Sequence, residues 1–254
     1  MPTAPHPPFG CLYLWHGHAL IIGPAIDSVM HDHFALQMTV ALNQPFTVET
    51  ATGVESRRQA LFWPGERHRL EARGAQLAHL FIDPGQRHLD LWRAANDPAH
   101  EPLPASLTEA LCNIPAAPID IHQAETIAQQ WQAAWLPGFE RAPHFDVRIR
   151  QALSHLAQAP EGRRTEDLAR SVGLSSSRFT HLFSQQTGLS PSRYRIWQQL
   201  LNAVRILAQG ASVTEAAHGS GFADLAHMSR RFHSTFGVAP SELGRMRIWL
   251  SPDT

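Results

Sequence analysis

Residues 217–232 read Ala-His-Gly-Ser-Gly-Phe-Ala-Asp-Leu-Ala-His-Met-Ser-Arg-Arg-Phe, and a weaker copy of this pattern begins 48 residues earlier at Ala169. Each copy opens with Ala-x-x-x-Gly, which ends at Gly173 in the first copy and at Gly221 in the second. The apolar, glycine and proline positions that follow are 49 residues apart, so the second copy has one extra residue in its turn. Each copy therefore predicts a short helix, a glycine-containing turn and a longer amphipathic helix, which together form a helix-turn-helix unit.

The two predicted units imply a nucleic-acid partner, because the second helix of a helix-turn-helix lies in the major groove of DNA. Residues 1–143 contain 8 Arg and 14 acidic residues, a net charge of −6, whereas residues 144–254 contain 13 Arg and 8 acidic residues, a net charge of +5. A basic half is the charge balance that phosphate binding requires. A helix from Ser190-Pro191 to about Ala208 is predicted to hold the two recognition helices about 34 Å apart, one turn of DNA.

The rest of the composition favours a globular protein of a reducing compartment. The 254 residues suffice for two domains. Cys11 and Cys112 match neither a disulfide framework nor a Cys-x-x-Cys metal site, and no apolar stretch is long enough to span a membrane. Residues 1–10 lack the basic and apolar segments of a signal peptide and are expected to be a disordered lead-in. We therefore expect a cytoplasmic protein without a membrane partner.

The N-terminal half is predicted to be mainly β-structure. Short apolar or alternating runs over residues 11–90 are separated by turn signals, which favours a small barrel or sandwich for a domain of residues 11–136. Residues 137–144 predict a linker, and residues 145–250 a helical domain. The predicted fold class is α+β in two domains, an N-terminal β-barrel with two helices and a C-terminal all-α domain in which a long helix joins the two helix-turn-helix units.

Two amphipathic helical patterns close the N-terminal domain, one over residues 103–114 and one over residues 121–135. The second pattern has a heptad seam, formed by Ile121, Ala124, Ala128, Trp131 and Trp135. A heptad seam is typical of a dimer interface, and the same apolar face can instead pack on the barrel of its own chain. Both interpretations, a dimerisation surface and a core face, remain open at this point.

The segment that runs from Gly221 to Phe232 and continues as Phe236-Gly237-Val238-Ala239-Pro240-Ser241 resembles the signature of AraC/XylS-family transcription regulators. The first unit, from Asp167 to Pro191, resembles the same DNA-binding domain, and the resemblance covers roughly Arg164 to Leu243. It implies a homodimeric regulator that binds double-stranded promoter DNA, contacts RNA polymerase and is not an enzyme.

The resemblance places the base-reading positions on the exposed face of each recognition helix. Arg230 can form two hydrogen bonds to a guanine edge, worth about 1–3 kcal/mol of discrimination. His181 and His227 can donate to bases or phosphates, and the apolar reading positions suggest a contribution from DNA shape. Arg178, Arg193 and Arg231 are the phosphate-contact candidates among them. The predicted DNA-binding residues are Ser176, Ser177, Arg178, Thr180, His181, Arg193, Leu225, Ala226, His227, Arg230 and Arg231.

Two short stretches of the N-terminal half resemble the motifs of cupin-like effector domains. His31-Asp32-His33 followed by Gln37 resembles the first motif, with Gln where Glu is usual, and Trp63-Pro64-Gly65-Glu66-Arg67-His68 resembles the second. The cupin resemblance implies a metal site at His31, His33, Gln37 and His68. Imidazole ligands suit Zn, Fe, Ni or Cu.

Without a metal, the mouth of the same barrel is expected to hold a small organic effector. The candidate lining residues are Phe34, Gln37, Met38, Phe62, Trp63, His68 and His79.

These observations predict a sequence-specific transcription regulator whose N-terminal barrel senses a small molecule or metal and modulates promoter binding. A constitutive DNA binder whose barrel only dimerises is the main alternative. A metal-dependent cupin enzyme with a DNA-binding tail is a further alternative, against which the missing motif Glu counts. The effector, the sign of the regulation and the target operon are left open.

Overall fold

The computed structural model describes residues 10–72, 74–89, 92–93, 102–142, 144–158 and 164–252. The predicted lead-in lies outside the described residues except for Gly10, which begins the first strand. The strands are β1 (Gly10–Trp15), β2 (His18–Pro24), β3 (Leu36–Ala41), β4 (Phe46–Thr50), β5 (Gly53–Arg57), β6 (Gln59–Phe62), β7 (His68–Glu71), β8 (Gln76–Ile82) and β9 (Met246–Leu250). The helices are α1 (Ala105–Asn113), α2 (Ile121–Trp135), α3 (Val147–Gln158), α4 (Thr165–Ser171), α5 (Ser176–Thr187), α6 (Pro191–Ala208), α7 (Val213–Gly219) and α8 (Leu225–Phe236).

The strands form two sheets. The large sheet has the order β6-β3-β8-β2-β1-β9, and the small sheet has the order β5-β4-β7. The two-domain α+β class is confirmed, and the sheets of the predicted N-terminal barrel are present but do not close into a barrel. Among the described strands, β4, β5 and β7 pair only with one another, and β6 and β9 end the large sheet, so no ring of hydrogen bonds closes.

Helices α1 and α2 pack on one face of the large sheet. Alternation along β1 places Tyr13 and Trp15 on this face and Leu12 and Leu14 on the opposite one. The heptad-seam residues of α2 that pack here are at most 3% exposed and comprise Ala124, Ala128, Trp131 and Trp135. Ile121 packs at the edge of the same core. The seam is therefore a core face of the monomer, and its prediction as a dimer interface is wrong because these side chains have no surface left to offer a partner.

The helical domain reproduces the sequence repeat. Helices α4 and α7 each have 7 residues, and their first residues are 48 positions apart. Helices α5 and α8 each have 12 residues, and theirs are 49 positions apart. Both turns contain a glycine in the left-handed region, Gly173 with a φ of 70° and Gly221 with a φ of 80°, where a side chain would be strained. The predicted extra residue in the second turn is thus confirmed.

The C-terminal end of the chain belongs to the N-terminal sheet. Strand β9 pairs in parallel with β1, and the indole of Trp249 stacks on the ring of Tyr13 with 4.7 Å between centroids. The prediction of one helical domain over residues 145–250 is therefore wrong for residues 246–250. This short alternating stretch finds its hydrogen-bond partners only when the two domains are together.

The predicted linker packs on the N-terminal core. Phe139 and Ala142 are buried there, and the ring of Phe139 meets Trp92 edge-on at 5.9 Å between centroids. Within the parts of the chain that the structure describes, none of the helices combines the length and the apolar character needed to cross a membrane.

Candidate DNA-binding surface and histidine cluster

The first recognition helix, α5, presents the predicted residues to solvent. The Ser175 side chain caps the helix by accepting a hydrogen bond from the Arg178 N–H at 3.3 Å. Phe179 and Phe183 face the core of the helical domain. The remaining face is exposed and carries Ser176, Ser177, Arg178, Thr180 and His181. Short hydroxyl side chains allow a DNA backbone to approach this face closely, and Arg178 and His181 add donors for phosphates or base edges.

The second recognition helix, α8, is built in the same way. Asp224 accepts from the His227 N–H at 2.6 Å, so it is a helix cap. Met228 and Phe232 face inward. Of the predicted DNA-binding residues on this helix, Leu225, Ala226, Arg230 and Arg231 are exposed.

His227 is less available than its neighbours on α8. Its ring is half-buried and meets Phe222 edge-on at 5.4 Å between centroids, while Arg231 Nε lies 3.5 Å from His227 Nε2. Arg230 is therefore the best-placed donor on α8 for a base edge.

Arg193 occupies a different position from the one predicted. Its guanidinium lies 3.4 Å from the Asp32 carboxylate and 4.9 Å from the centroid of the Phe34 ring. Both partners belong to the N-terminal domain, so Arg193 here joins the two domains. A phosphate contact by this side chain stays a prediction that requires it to leave Asp32.

Three histidines of the N-terminal domain converge on one point. One ring nitrogen of each of His31, His33 and His68 lies within 4.8 Å of one from each of the others. Each Nδ1 contacts a backbone carbonyl at 2.8–2.9 Å, and these carbonyls belong to Val29, Ala35 and Glu66. The Nε2 atoms are left as the converging ones, and the buried Nε2 atoms of His33 and His68 have no hydrogen-bond partner among the described residues.

The surroundings favour neutral rings in this cluster. Burial lowers the pKa of His33 well below its ordinary value, with a further decrease from His68 and His31. Burial, with the neighbouring His31, also lowers the pKa of His68 to about 3. A neutral imidazole whose Nδ1–H donates to a carbonyl keeps its Nε2 lone pair for another group. The residues therefore fit a transition-metal ion.

Gln37, the fourth predicted ligand, lies beside the cluster on β3. Its amide nitrogen lies 2.8 Å from Thr39 Oγ1 and 3.3 Å from His79 Nδ1. The amide is thus held by this pair of neighbours on the sheet, and a metal-ligand role for Gln37 stays a prediction.

A cavity of about 150 Å³ lies between the two domains. We call the face of the large sheet that borders it the junction face; in the cavity wall it contributes Leu12, Leu14, Ala19, Ile21, Gln37, His79 and Phe81. The opposite wall belongs to the helical domain and includes Trp197, Leu201, Val204, Phe232 and Phe236. The cavity is therefore mainly apolar, and the polar or charged residues of its wall include Gln37, His79, Asp83, Arg205 and Glu242.

Among the predicted effector residues, Gln37 and His79 line this cavity. The others do not, because their side chains are taken up by cores. Met38 points to the opposite face of the large sheet, and the ring of Phe62 stacks on His68 at 3.8 Å between centroids. Trp63 packs beside Trp92. The two remaining residues outside the cavity wall are Phe34 and His68.

Sequence reasoning missed the polar centre of the domain junction, Asp83. This buried carboxylate accepts hydrogen bonds from Trp197 Nε1 at 2.7 Å, from Tyr194 Oη at 3.1 Å and from Gln198 Nε2 at 3.1 Å. Burial, followed by the Asp83 charge, raises the pKa of Tyr194 well above its ordinary value, which keeps the phenol protonated as a donor. In the sequence Asp83 precedes Pro84-Gly85 and looks like a turn residue.

Arg205 of α6 was also missed, since it lies between apolar positions of a long helix. Its side chain lines the cavity, and its buried Nε has no hydrogen-bond partner among the described residues. The cavity thus contains one cationic group that the protein leaves partly unpaired.

Comparisons with known proteins agree with this geometry. A helix-turn-helix domain family matches residues 168–246. The arabinose operon regulatory protein of Escherichia coli K12 is 32% identical over 103 residues, which cover 39% of this chain and 35% of that protein. The transcriptional activator RhaS of Citrobacter koseri is 33% identical over 110 residues, which cover 42% of this chain and 40% of that protein. The chain therefore matches well under half the length of these curated relatives.

The similarity to solved structures extends over both domains. An apo variant of ToxT from Vibrio cholerae strain SCE256 has a TM-score of 0.60 at 13% identity and covers 91% of this chain and 98% of ToxT. Wild-type ToxT with a bound unsaturated fatty acid has a TM-score of 0.58 at 13% identity and covers 90% of this chain and 95% of ToxT. This likeness concerns the fold. The sequence matches concern the helical domain: residues 168–246 form a helix-turn-helix domain similar to those of the arabinose operon regulatory protein and RhaS.

Proposed function

We propose that this protein is a sequence-specific DNA-binding transcription regulator whose N-terminal domain senses a small molecule. The observation that carries the proposal is the equivalence of α5 and α8. Both helices follow a glycine turn, both are capped by a short polar side chain, and both expose a polar face with an arginine. Two such faces on one chain are suited to two successive major-groove segments.

The DNA-binding part of the proposal is tested by sequencing genomic fragments captured by the purified full-length protein. The matched control is the double variant Arg230→Ala, His181→Ala, which removes one exposed donor from each recognition helix. We expect enriched fragments that share a site of about two DNA turns, and we expect the double variant to lose them. Equal capture by the double variant would contradict the proposed reading faces.

The proposed effector site is the cavity between the domains. A ligand there touches β1 and β2 on one side and α6 and α8 on the other, so its binding free energy depends on how the domains are arranged. An apolar cavity of about 150 Å³ holds a molecule the size of benzene. We therefore propose an effector of about one aromatic ring with one hydrogen-bonding group. The structural neighbour solved with a bound unsaturated fatty acid supports an apolar ligand in this fold.

A thermal-shift screen of monocyclic aromatic alcohols and acids tests this site, followed by DNA-affinity measurements with each compound that stabilises the protein. Ala19→Leu is the control, because Ala19 lies in the cavity wall and a larger side chain fills the space without removing a polar group. We expect ligands that raise the melting temperature of the wild type and change its DNA affinity, with both effects lost in Ala19→Leu. A protein that binds DNA and responds to none of these compounds favours the constitutive alternative.

A second copy of the chain and RNA polymerase are the remaining proposed partners. The seam on α2 is buried in the monomer, so a dimer must use another surface. Sedimentation velocity measures the number of chains in the free particle and the number of chains bound to one DNA site. A monomer in solution and one chain per DNA site would together contradict the dimer.

A further inference from the structure

The histidine cluster is held in place by backbone hydrogen bonds from two different segments. The His31 N–H donates to the His68 carbonyl at 3.0 Å, and the His68 N–H donates to the His31 carbonyl at 3.0 Å. The His33 carbonyl accepts from the Gly65 N–H at 2.9 Å. These backbone bonds hold the three histidines in position before any ligand binds, which lowers the entropic cost of binding.

Two of these rings, those of His33 and His68, leave a buried acceptor nitrogen without a hydrogen-bond partner among the described residues. A buried unpaired polar atom is unfavourable. Neutral imidazoles oriented by Nδ1 bonds to carbonyls are the ligands found around protein-bound transition metals. With Zn–N distances of about 2.0–2.1 Å, a tetrahedral ion needs nitrogens about 3.4 Å apart, so a small contraction of the cluster suffices.

The segment that carries two of these histidines is also the contact surface for the second helix-turn-helix unit. We call residues 28–34 the docking segment. The Val29 N–H donates to the carbonyl of Gly237, the residue that ends α8, at 3.2 Å. Gly237 lies so close that a Cβ there would be 2.6 Å from Ser28 Cβ and 2.7 Å from His31 Nδ1.

Helix α6, the spacer helix that joins the two helix-turn-helix units, packs on the same segment. Asp32, between the two histidines, faces Arg193 at 3.4 Å, and the Phe34 ring meets Trp197 edge-on at 6.2 Å between centroids. Anything that orders residues 31–33 therefore orders contacts to both α6 and the end of α8.

We propose that His31, His33 and His68 bind one divalent transition-metal ion through their Nε2 atoms, Zn²⁺ foremost, and that the ion stabilises the docking of the helical domain on the docking segment. The coordination joins the docking segment to the first residue of β7. Metal binding at this site does not depend on the proposed DNA-binding activity, because the three histidines lie outside both recognition faces.

Metal binding is measured on the full-length protein after chelator treatment, by Co²⁺ titration with visible absorption as the readout and by zinc content after dialysis. We expect one ion per chain and the intense visible bands of four-coordinate Co²⁺. His68→Ala should lower the affinity by at least about tenfold. His122→Ala, at an exposed ring on α2, should bind as the wild type does.

The second arm follows hydrogen exchange of residues 28–34 and 236–239 with and without Zn²⁺. We expect slower exchange in both ranges with the ion, and no change in His68→Ala. The more conservative His68→Gln is run beside it, and circular dichroism confirms that each variant is folded. Absence of binding by the folded wild type overturns the metal site, and so does binding by both His68 variants that is as tight as that of the wild type. Binding without any change at residues 236–239 overturns the link to domain docking.

Discussion

The Trp197 indole donates to the Asp83 carboxylate at 2.7 Å across the domain junction, joining the end of β8 to the middle of the spacer helix. Tyr194 and Gln198, on the same face of α6, donate to the same carboxylate. One acidic residue thus satisfies three buried donors of the other domain. The relative position of the two domains is fixed by hydrogen bonds as well as by apolar packing.

Replacing Asp83 should loosen the junction. Asp83→Ala leaves three buried donors without their acceptor, and each unsatisfied group costs about 1–3 kcal/mol. We expect a loss of several kcal/mol in the free energy of unfolding by urea and faster proteolytic cleavage near the junction. Asp167→Ala is the control, since its ion pair with Arg170 is exposed and exposed pairs contribute at most about 1 kcal/mol. Equal stability of the two variants would mean that the junction does not depend on this carboxylate.

Removing Arg230 should weaken recognition of the specific site more than binding to random DNA. The loss expected for a two-bond contact with guanine is about 1–3 kcal/mol. Fluorescence anisotropy with specific and random duplexes measures both affinities at one salt concentration. Arg141→Ala serves as the control, because Arg141 is an exposed arginine of the N-terminal half. If Arg230→Ala lowers the affinity for the specific and the random duplex by the same factor, Arg230 contacts a phosphate and does not read a base.

Freeing Arg193 should increase DNA affinity. Asp32→Asn removes the carboxylate that holds this guanidinium in the N-terminal domain, so Arg193 becomes available for a phosphate. We expect tighter binding and a steepening of the slope of log K against log salt by up to about 0.9. Glu55→Gln changes the net charge by the same amount at an exposed strand and should leave the slope unchanged. An unchanged slope in Asp32→Asn would show that Arg193 does not reach DNA.

Two glycines with the same backbone conformation should respond differently to alanine. Gly173 has a φ of 70° and open space within 4 Å of the point where a Cβ would lie, whereas Gly237 has a φ of 71° with Ser28 and His31 within 2.7 Å of that point. The left-handed conformation alone costs a non-glycine residue roughly 1–2 kcal/mol. We expect Gly173→Ala to lose about that much in urea unfolding, and Gly237→Ala to lose more and to bind Co²⁺ more weakly. If both variants lose the same free energy of unfolding and bind Co²⁺ equally well, Gly237 is not in close contact with Ser28 and His31.

The helix-turn-helix units could be predicted closely because their signals are local. Glycine turns, short polar caps and apolar positions three or four residues apart act within a single unit, and a repeat supplies each signal twice. The same locality explains why Ser177, Thr180 and Arg230 were placed on exposed faces, as the structure has them.

The predictions that were wrong all depended on pairing or packing over long distances in the chain. The heptad seam of α2 has the same pattern whether it covers a sheet or a partner, and burial of Trp131 distinguishes the two. Strand alternation shows that Met38 and Gln37 face opposite sides, but not which side holds a cavity. Asp83 carries no signal in its neighbourhood, because its partners are more than 100 residues away.

The amino-acid sequence was sufficient to predict the two helix-turn-helix units, because periodicity and capping act over a few residues, and the resemblance to cupin motifs singled out His31, His33 and His68 together with Gln37. How these parts are joined became visible only in the folded chain: β9 completes the sheet of the other domain, Asp83 anchors α6, and the docking segment lies under Gly237. Those relationships depend on which surfaces exclude water from one another and which buried donors meet acceptors. Both are properties of the folded chain as a whole.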